Sequence, residues 1–326
     1  IDDKDGKWQG RLEWQNGSGV GIQAFAQRDF RELGDEAERS RAVNSIAAQE
    51  FGSDYTDPYL VAGGGLAIEY APAGEPSWRL EAAIEQPSTL AVNATPVAGH
   101  FIGLVTVPSS RYARLTLRRE RPTSLSSFGT EVRTLLELRV LHADGDSTAP
   151  CVFASACPLS YTTIRGALVA DIERPVGSQR IVLHTIAGAV GGRNGVIPAQ
   201  ELFYFGGPVS AAGYDFHQFV AGAGWSQRVE WRAPIPFFAL PLGRFGKIPG
   251  SATLAPYAQV VAVGGAPVTV FRGPQLVTSP VSGAYPVLGL GLVTFFDLVR
   301  LDVSRGLRNG RWFFAFDVNP EFWSVL

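Results

Sequence analysis

Apolar and polar positions alternate with a period of two over most of the chain, and no long stretch carries a helical period. In TEVRTLLELRV, Val132, Thr134, Leu136, Leu138 and Val140 share one face; Glu131, Arg133, Leu135, Glu137 and Arg139 share the other. In YTTIRGALVADIERP the apolar face is Ile164, Gly166, Leu168, Ala170 and Ile172. SWRLEAAIE and SQRVEWRAPI repeat the pattern, the second setting Val229, Trp231, Ala233 and Ile235 against Arg228, Glu230 and Arg232. The pattern predicts an all-β chain of roughly thirteen strands, near 7–15, 19–32, 59–71, 77–87, 111–121, 129–142, 161–174, 179–191, 225–236, 251–263, 285–296, 298–307 and 311–323.

Strand length separates a soluble sandwich from a membrane barrel. Soluble strands run about 5–6 residues. Several of these run roughly ten or more, the length a tilted strand needs to cross a bilayer. An apolar outer belt with a mixed-charge inner face is the transmembrane barrel pattern, the inner charges pairing across strands. Trp8, Trp14, Tyr59, Tyr70, Trp78, Tyr112, Tyr161, Trp225 and Trp312 lie near strand ends and are read as interfacial girdles. Connections alternate in length, as in outer-membrane barrels. Short turns at 15–19, 72–77, 122–127 and 175–178 alternate with long links near 34–58, 87–110, 143–160, 193–224 and 264–284. Only 238–250 is long on the short side. Intact single-chain bacterial barrels have even strand numbers. Either a strand lies unnoticed around GHFIGLVTV in 87–110, or strands precede Ile1. The polar link 34–57 is read as a solvated outer loop with a short helix, available as a partner surface.

Composition narrows the class. The chain has 326 residues and a formal net charge of −2, which gives no electrostatic reason to expect nucleic acid. No apolar run is long enough for a helical span. With no methionine at all, Ile1 is not read as a translation start. Cys151 and Cys157 in PCVFASACP suit a small disulfide in an oxidising compartment, or else two buried thiols. The four histidines, His100, His142, His184 and His217, have no metal-ligand spacing, and His184 is expected to face the lumen in a structural role. GGRNG at 191–195 and VAGGGLA at 61–67 open no helix, so neither reads as a phosphate loop. No GxSxG elbow occurs. Glu137, Asp171, Glu173 and Glu230 are expected to pair with Arg133, Arg139, Arg165 and Arg228. No enzymatic activity, cofactor or metal is expected.

One segment breaks the alternation. ELFYFGGPVSAAGYDFHQF, from Glu201 to Phe219, is long, aromatic and almost uncharged. FYFGGPVSAAGY, followed by WSQRVEWRAPIPF, resembles the sixth outer loop of the BamA/TamA superfamily, the bacterial surface antigen barrels. Five predicted strands follow the loop and eight precede it. The resemblance implies a sixteen-stranded family barrel over 1–326 lacking some N-terminal strands, with 193–224 re-entering the lumen. Periplasmic or fused domains would lie upstream. Gly206, Gly207 and Gly213 would permit the reversals, and Tyr214 and Phe216 would seat the loop. The family's tip arginine falls at Ala212, and its aspartate partner on the second following strand falls at Ala262. An apolar contact would replace that ion pair, since losing one charge alone strands the other. LVRLDVSRGLRNGRWFFAFDVNPEFW resembles the family's last hairpin, with Phe316, Phe322 and Trp323 as its assembly signal. The resemblance implies an outer-membrane location, contact with the lipid bilayer and other outer-membrane or periplasmic proteins, and a role in assembling or translocating proteins. The alternatives are a structural anchor in a larger complex and a diffusion pore.

Overall fold

The computed structural model describes residues 6–92, 94–125, 129–144, 160–193, 197–239, 250–265, 268–279, 282–295 and 297–318. Its strands are β1 (Trp8–Gln15), β2 (Val20–Glu32), β3 (Pro58–Tyr70), β4 (Ser77–Thr89), β5 (Tyr112–Leu125), β6 (Glu131–Asp144), β7 (Ser160–Val176), β8 (Gln179–Arg193), β9 (Phe203–Phe205), β10 (Phe219–Ala221), β11 (Ala223–Pro236), β12 (Ser251–Gly264), β13 (Thr269–Arg272), β14 (Gln275–Thr278), β15 (Gly283–Thr294), β16 (Val299–Gly306) and β17 (Trp312–Val318). One helix, α1 (Arg41–Phe51), lies in the β2–β3 link.

Thirteen of these strands form one antiparallel sheet in the order β1-β2-β3-β4-β5-β6-β7-β8-β11-β12-β15-β16-β17. Each pairs with its sequence neighbour in the sheet, and β1 and β17 are not paired with each other. The sheet curls round an interior. Val61 of β3 and Val261 of β12, seven places apart in sheet order, both pack against the β9–β10 hairpin that lies between them. The segment around GHFIGLVTV adds no strand to this sheet. Its Val105 makes a single bridge to Arg272 of the β13–β14 hairpin.

Register fixes what each face holds. Trp78 pairs with Arg119, Arg119 with Leu136, and Leu136 with Leu168, so these residues share one face. That face is outward and exposes Leu66, Leu115, Leu138, Leu288 and Phe314. Trp8, Trp14, Tyr70, Trp78, Trp225, Trp231 and Trp312 also lie exposed on it. Tyr59, Tyr112 and Tyr161 do not belong to this girdle. They are buried at the neighbouring, inward register, Tyr59 against Leu33 and Val105 of the links, Tyr112 and Tyr161 against Leu141 and Ala143.

Most strand acids face inward, and the following lie beside arginines. Glu85 accepts from Arg31 and Arg114, and Arg114 also reaches Glu81 at 2.6 Å. Glu230 lies 2.6 Å from Arg300 and 3.0 Å from Arg228. Glu173 pairs with Arg180 at 2.6 Å, and Asp171 with Arg133 at 3.6 Å. His184 also holds Asp171, 2.6 Å from Nδ1. Arg139 bridges Glu137 and Glu201. Arg165 takes its main partner from a loop: it lies 2.6 Å from Asp35 and 3.8 Å from Glu137.

Candidate functional site

The segment that broke the alternation forms the β9–β10 hairpin, with Phe203 opposite Ala221 and Phe205 opposite Phe219. Side chains alternate across a strand, and here both faces are buried. Phe203, Phe205, Phe219 and Ala221 join a cluster with Val169, Ile186, Val261, Tyr285 and Val287 of the sheet wall. Leu202, Tyr204 and Val220 join a second cluster with Tyr59, Val61, Val105 and Val270. This is why the hairpin is apolar and aromatic on every side. Two wall glycines make room for it. A Cβ on Gly188 would lie 2.1 Å from the Phe203 ring, and one on Gly224 would lie 2.3 Å from the Phe205 ring.

The tip, residues 206–213, is held by its backbone. Gly206 (φ 132°), Gly207 (φ 117°) and Gly213 (φ 94°) take left-handed conformations. At Gly207 a side chain would meet Glu38, and at Gly213 it would meet the backbone of Gly306. Val209 and Ser210 donate their N–H groups to the Glu38 carboxylate at 2.7 and 3.1 Å. Gln259 of β12 accepts from the Ala212 N–H at 3.0 Å and donates to the Val209 carbonyl at 2.7 Å. Ser226 donates to the Ser210 carbonyl at 2.6 Å, Arg228 to that of Pro208 at 3.2 Å, and Asn309 to that of Gly213 at 3.1 Å. Arg228 also stacks 3.5 Å from the Tyr257 ring centroid.

Ala212 is buried in the first cluster, and the residue of β12 that meets it is Gln259. Ala262 has the outward register, between Trp225 and Ala284, and takes no part in this contact. Tyr214 packs edge-on against Phe219 and Tyr285, at ring separations of 5.0 and 5.8 Å. Phe216 stacks on His217 at 3.8 Å.

Beyond the tip a second fastening joins three outer links. Asp57, just before β3, accepts from Arg272 of β13 at 2.6 and 2.8 Å. Its Oδ2 also lies 2.6 Å from His217 Nδ1, and both Asp57 and His217 are buried.

The link from Leu33 to Asp57 is therefore no solvated loop in its first half. Asp35 pairs with Arg165, Glu38 is buried under the tip, and the Ser40 N–H donates to Asp317 of β17 at 3.2 Å. Burial pushes the Glu38 carboxyl up to about 7, against the pull of its hydrogen bonds from Ser210 and Val209. Burial lowers His217 below its usual range, only partly countered by Asp57.

The alternation along the chain singles out none of Glu38, Asp57 and Arg272. Glu38 sits in GDEAERSRA, whose composition is that of a solvated loop. Gln259 alone carries a signal, as a polar residue at an inward position of β12. Of the other expected site residues, Phe316 faces outward on β17 and is exposed. Phe322, Trp323, Cys151 and Cys157 lie outside the described residues. Among the described residues no three His, Cys, Asp or Glu side chains gather as metal ligands.

No family model matches the chain, and no curated protein matches it by sequence. Among solved structures, CdiB from Acinetobacter baumannii is similar to it with a TM-score of 0.37 and 13% identity, over 95% of this chain and 58% of that one. The chain thus spans a little over half the length of that protein.

The folded pKa of Glu38, about 7, lies above the ordinary 4.5. Its charged form therefore weakens docking, a penalty absent below pH 4.5 and growing as pH rises through 7. Glu38→Gln keeps a carbonyl acceptor but not the charge. Hydrogen exchange of residues 206–218 should show wild-type docking weakening relative to Glu38→Gln between pH 5 and 8. Asp57→Asn should cost about 3–5 kcal/mol in the outer-link cluster, because it leaves the largely buried Arg272 without its counter-charge. Faster exchange in 269–278 and 206–218 together, with the sheet unaffected, would register it.

Proposed function

We propose that the chain is the membrane-embedded part of a bacterial outer-membrane barrel that assembles or translocates other proteins, with the β8–β11 loop as its internal plug. The observation that carries this reading is the seated hairpin, whose tip is gripped by the sheet wall and by a second outer link. The outward face adds support. Its aliphatic and tryptophan residues suit a bilayer, and among the described strand positions its acids are confined to Glu32 and Asp144 at the link ends of their strands. Membrane strands need their backbone groups paired, which leaves β1 and β17 as the two places where further strands add. In the family reading, three strands complete a sixteen-stranded barrel there, and a client strand joins by main-chain hydrogen bonding at the same seam.

The loop argues against an open diffusion pore, because it crosses the lumen and buries Phe203, Phe205 and Phe219 there. The scaffold reading draws on a different observation. The tip carries Ala212 rather than arginine and is fixed through backbone contacts, so a fold that keeps its plug need not keep the activity.

The test is the full-length protein in lipid vesicles, offered a urea-unfolded eight-stranded barrel. Faster folding of that client than in empty vesicles is the expected result. No acceleration, together with a tight stoichiometric partner recovered from native membranes, would replace the proposal with the scaffold.

In planar bilayers the wild type should show no large steady conductance. Glu38→Ala combined with Gln259→Ala should produce frequent large openings. Leu138→Arg, at a mid-strand outward position, should cost about 2–4 kcal/mol in vesicles. Arg133→Leu, inward and in an exposed pair, should cost less than about 1 kcal/mol. Equilibrium unfolding from liposomes reads both.

A further inference from the structure

We infer that the outward face carries a seat for one anionic glycerophospholipid, with an acyl chain in a groove over Gly166 and the phosphate on Arg119. The inference rests on the membrane reading above.

The groove is a depression of about 520 Å³ on the outward face of β5–β8. Register explains it. Leu138 of β6, Gly166 of β7 and Ala189 of β8 lie side by side, as do Leu136, Leu168 and Ala187 in the next outward row. Large side chains thus stand on one flank and methyl groups on the other, with a glycine as the floor. A Cβ on Gly166 would meet nothing within 4 Å, so the space above it is open. Its surface is aliphatic and suits a hydrocarbon chain rather than a polar ligand.

One cation stands at the end of this groove. Arg119 has the outward register, between Trp78 and Leu136. Its guanidinium lies 5.4 Å from the Trp78 ring centroid, and its Nε is buried without a hydrogen-bond partner. The acids of the neighbouring strands point the other way: Glu81 pairs with Arg79 and Arg114, Glu120 with Arg118, and Glu137 with Arg139. No carboxylate among the described residues is paired with Arg119. A cation at the border of an apolar belt is costly unless it reaches the headgroup region or meets an anion there. A lipid phosphate supplies that anion, and the tryptophan beneath the guanidinium fixes its height. Trp78 follows a short turn, and short turns face the periplasm in outer-membrane barrels. The phosphate is therefore that of a phospholipid in the periplasmic leaflet, not of lipid A in the opposite one.

The experiment uses the full chain reconstituted in vesicles with spin-labelled phosphatidylglycerol or phosphatidylcholine, reading the motionally restricted lipid by electron paramagnetic resonance. The wild type should favour phosphatidylglycerol by about fivefold, the factor one basic side chain contributes beside an anionic headgroup. Arg119→Gln should bring the ratio near one. Gly166→Leu, which fills the floor, should reduce the restricted fraction of both lipids. Equal association of the two lipids with wild type, or an unchanged preference in Arg119→Gln, would overturn the seat while leaving the barrel reading intact. Stronger competition by lipid A than by phosphatidylglycerol would overturn the leaflet. A chain that does not float with the vesicles at all would sink both readings together.

Discussion

The packed middle of the interior depends on a short hairpin that has no solvent-facing side. Phe203, Phe205 and Phe219 are among the largest fully buried side chains described, and burying each is worth about 1.5–3 kcal/mol. A sheet whose inner face is lined with arginines and carboxylates has no large apolar core of its own, only the small cluster of Tyr112, Leu141, Ala143 and Tyr161. The hairpin supplies one, and the wall adapts to it: Gly188 and Gly224 give up their side chains where the rings press closest. The two larger apolar clusters form where this loop enters the space between distant strands.

The tip solves a different problem. A reversal of backbone carried into an interior brings unpaired N–H and C=O groups with it, and each needs a partner. Glu38, Gln259, Ser226, Arg228 and Asn309 provide these partners, all but Glu38 from the sheet wall and its last turn. Because the grip is on the main chain, the side chain at 212 is free to be alanine. The charge that an arginine tip would bring is absent. The wall charges close among themselves instead, through Arg228, Glu230, Arg300 and Asp302.

The strands were legible in the sequence because alternation is imposed at every residue by the contrast between the two faces. The inward and outward sets read from TEVRTLLELRV and YTTIRGALVADIERP match the register of β6 and β7. Tyr59, Tyr112 and Tyr161 lie near strand ends, which suits a girdle, but parity decides the face and turns them inward. The partners of the plug were less legible. Asp35, Glu38 and Asp57 come from a polar link whose composition is that of a surface loop. Nothing in a linear sequence reports that Glu38 sits beneath Val209 and Ser210, more than a hundred and seventy residues away. Gln259 is within reach of parity, as a polar residue at an inward position of β12.

The link that carries Glu38 also reaches the far edge of the sheet. It leaves β2, places Glu38 beneath the plug, ties Ser40 to Asp317 on the last strand, and returns through α1 to β3. One covalent segment is thus a hasp across the mouth between the first and last strands, with the plug fastened to the same hasp. The edges cannot move far apart without drawing on the carboxylate that holds the plug. Loosening the plug equally gives the edges slack. By reciprocity, whatever parts the seam favours an emptied interior to the same degree that an emptied interior favours parting.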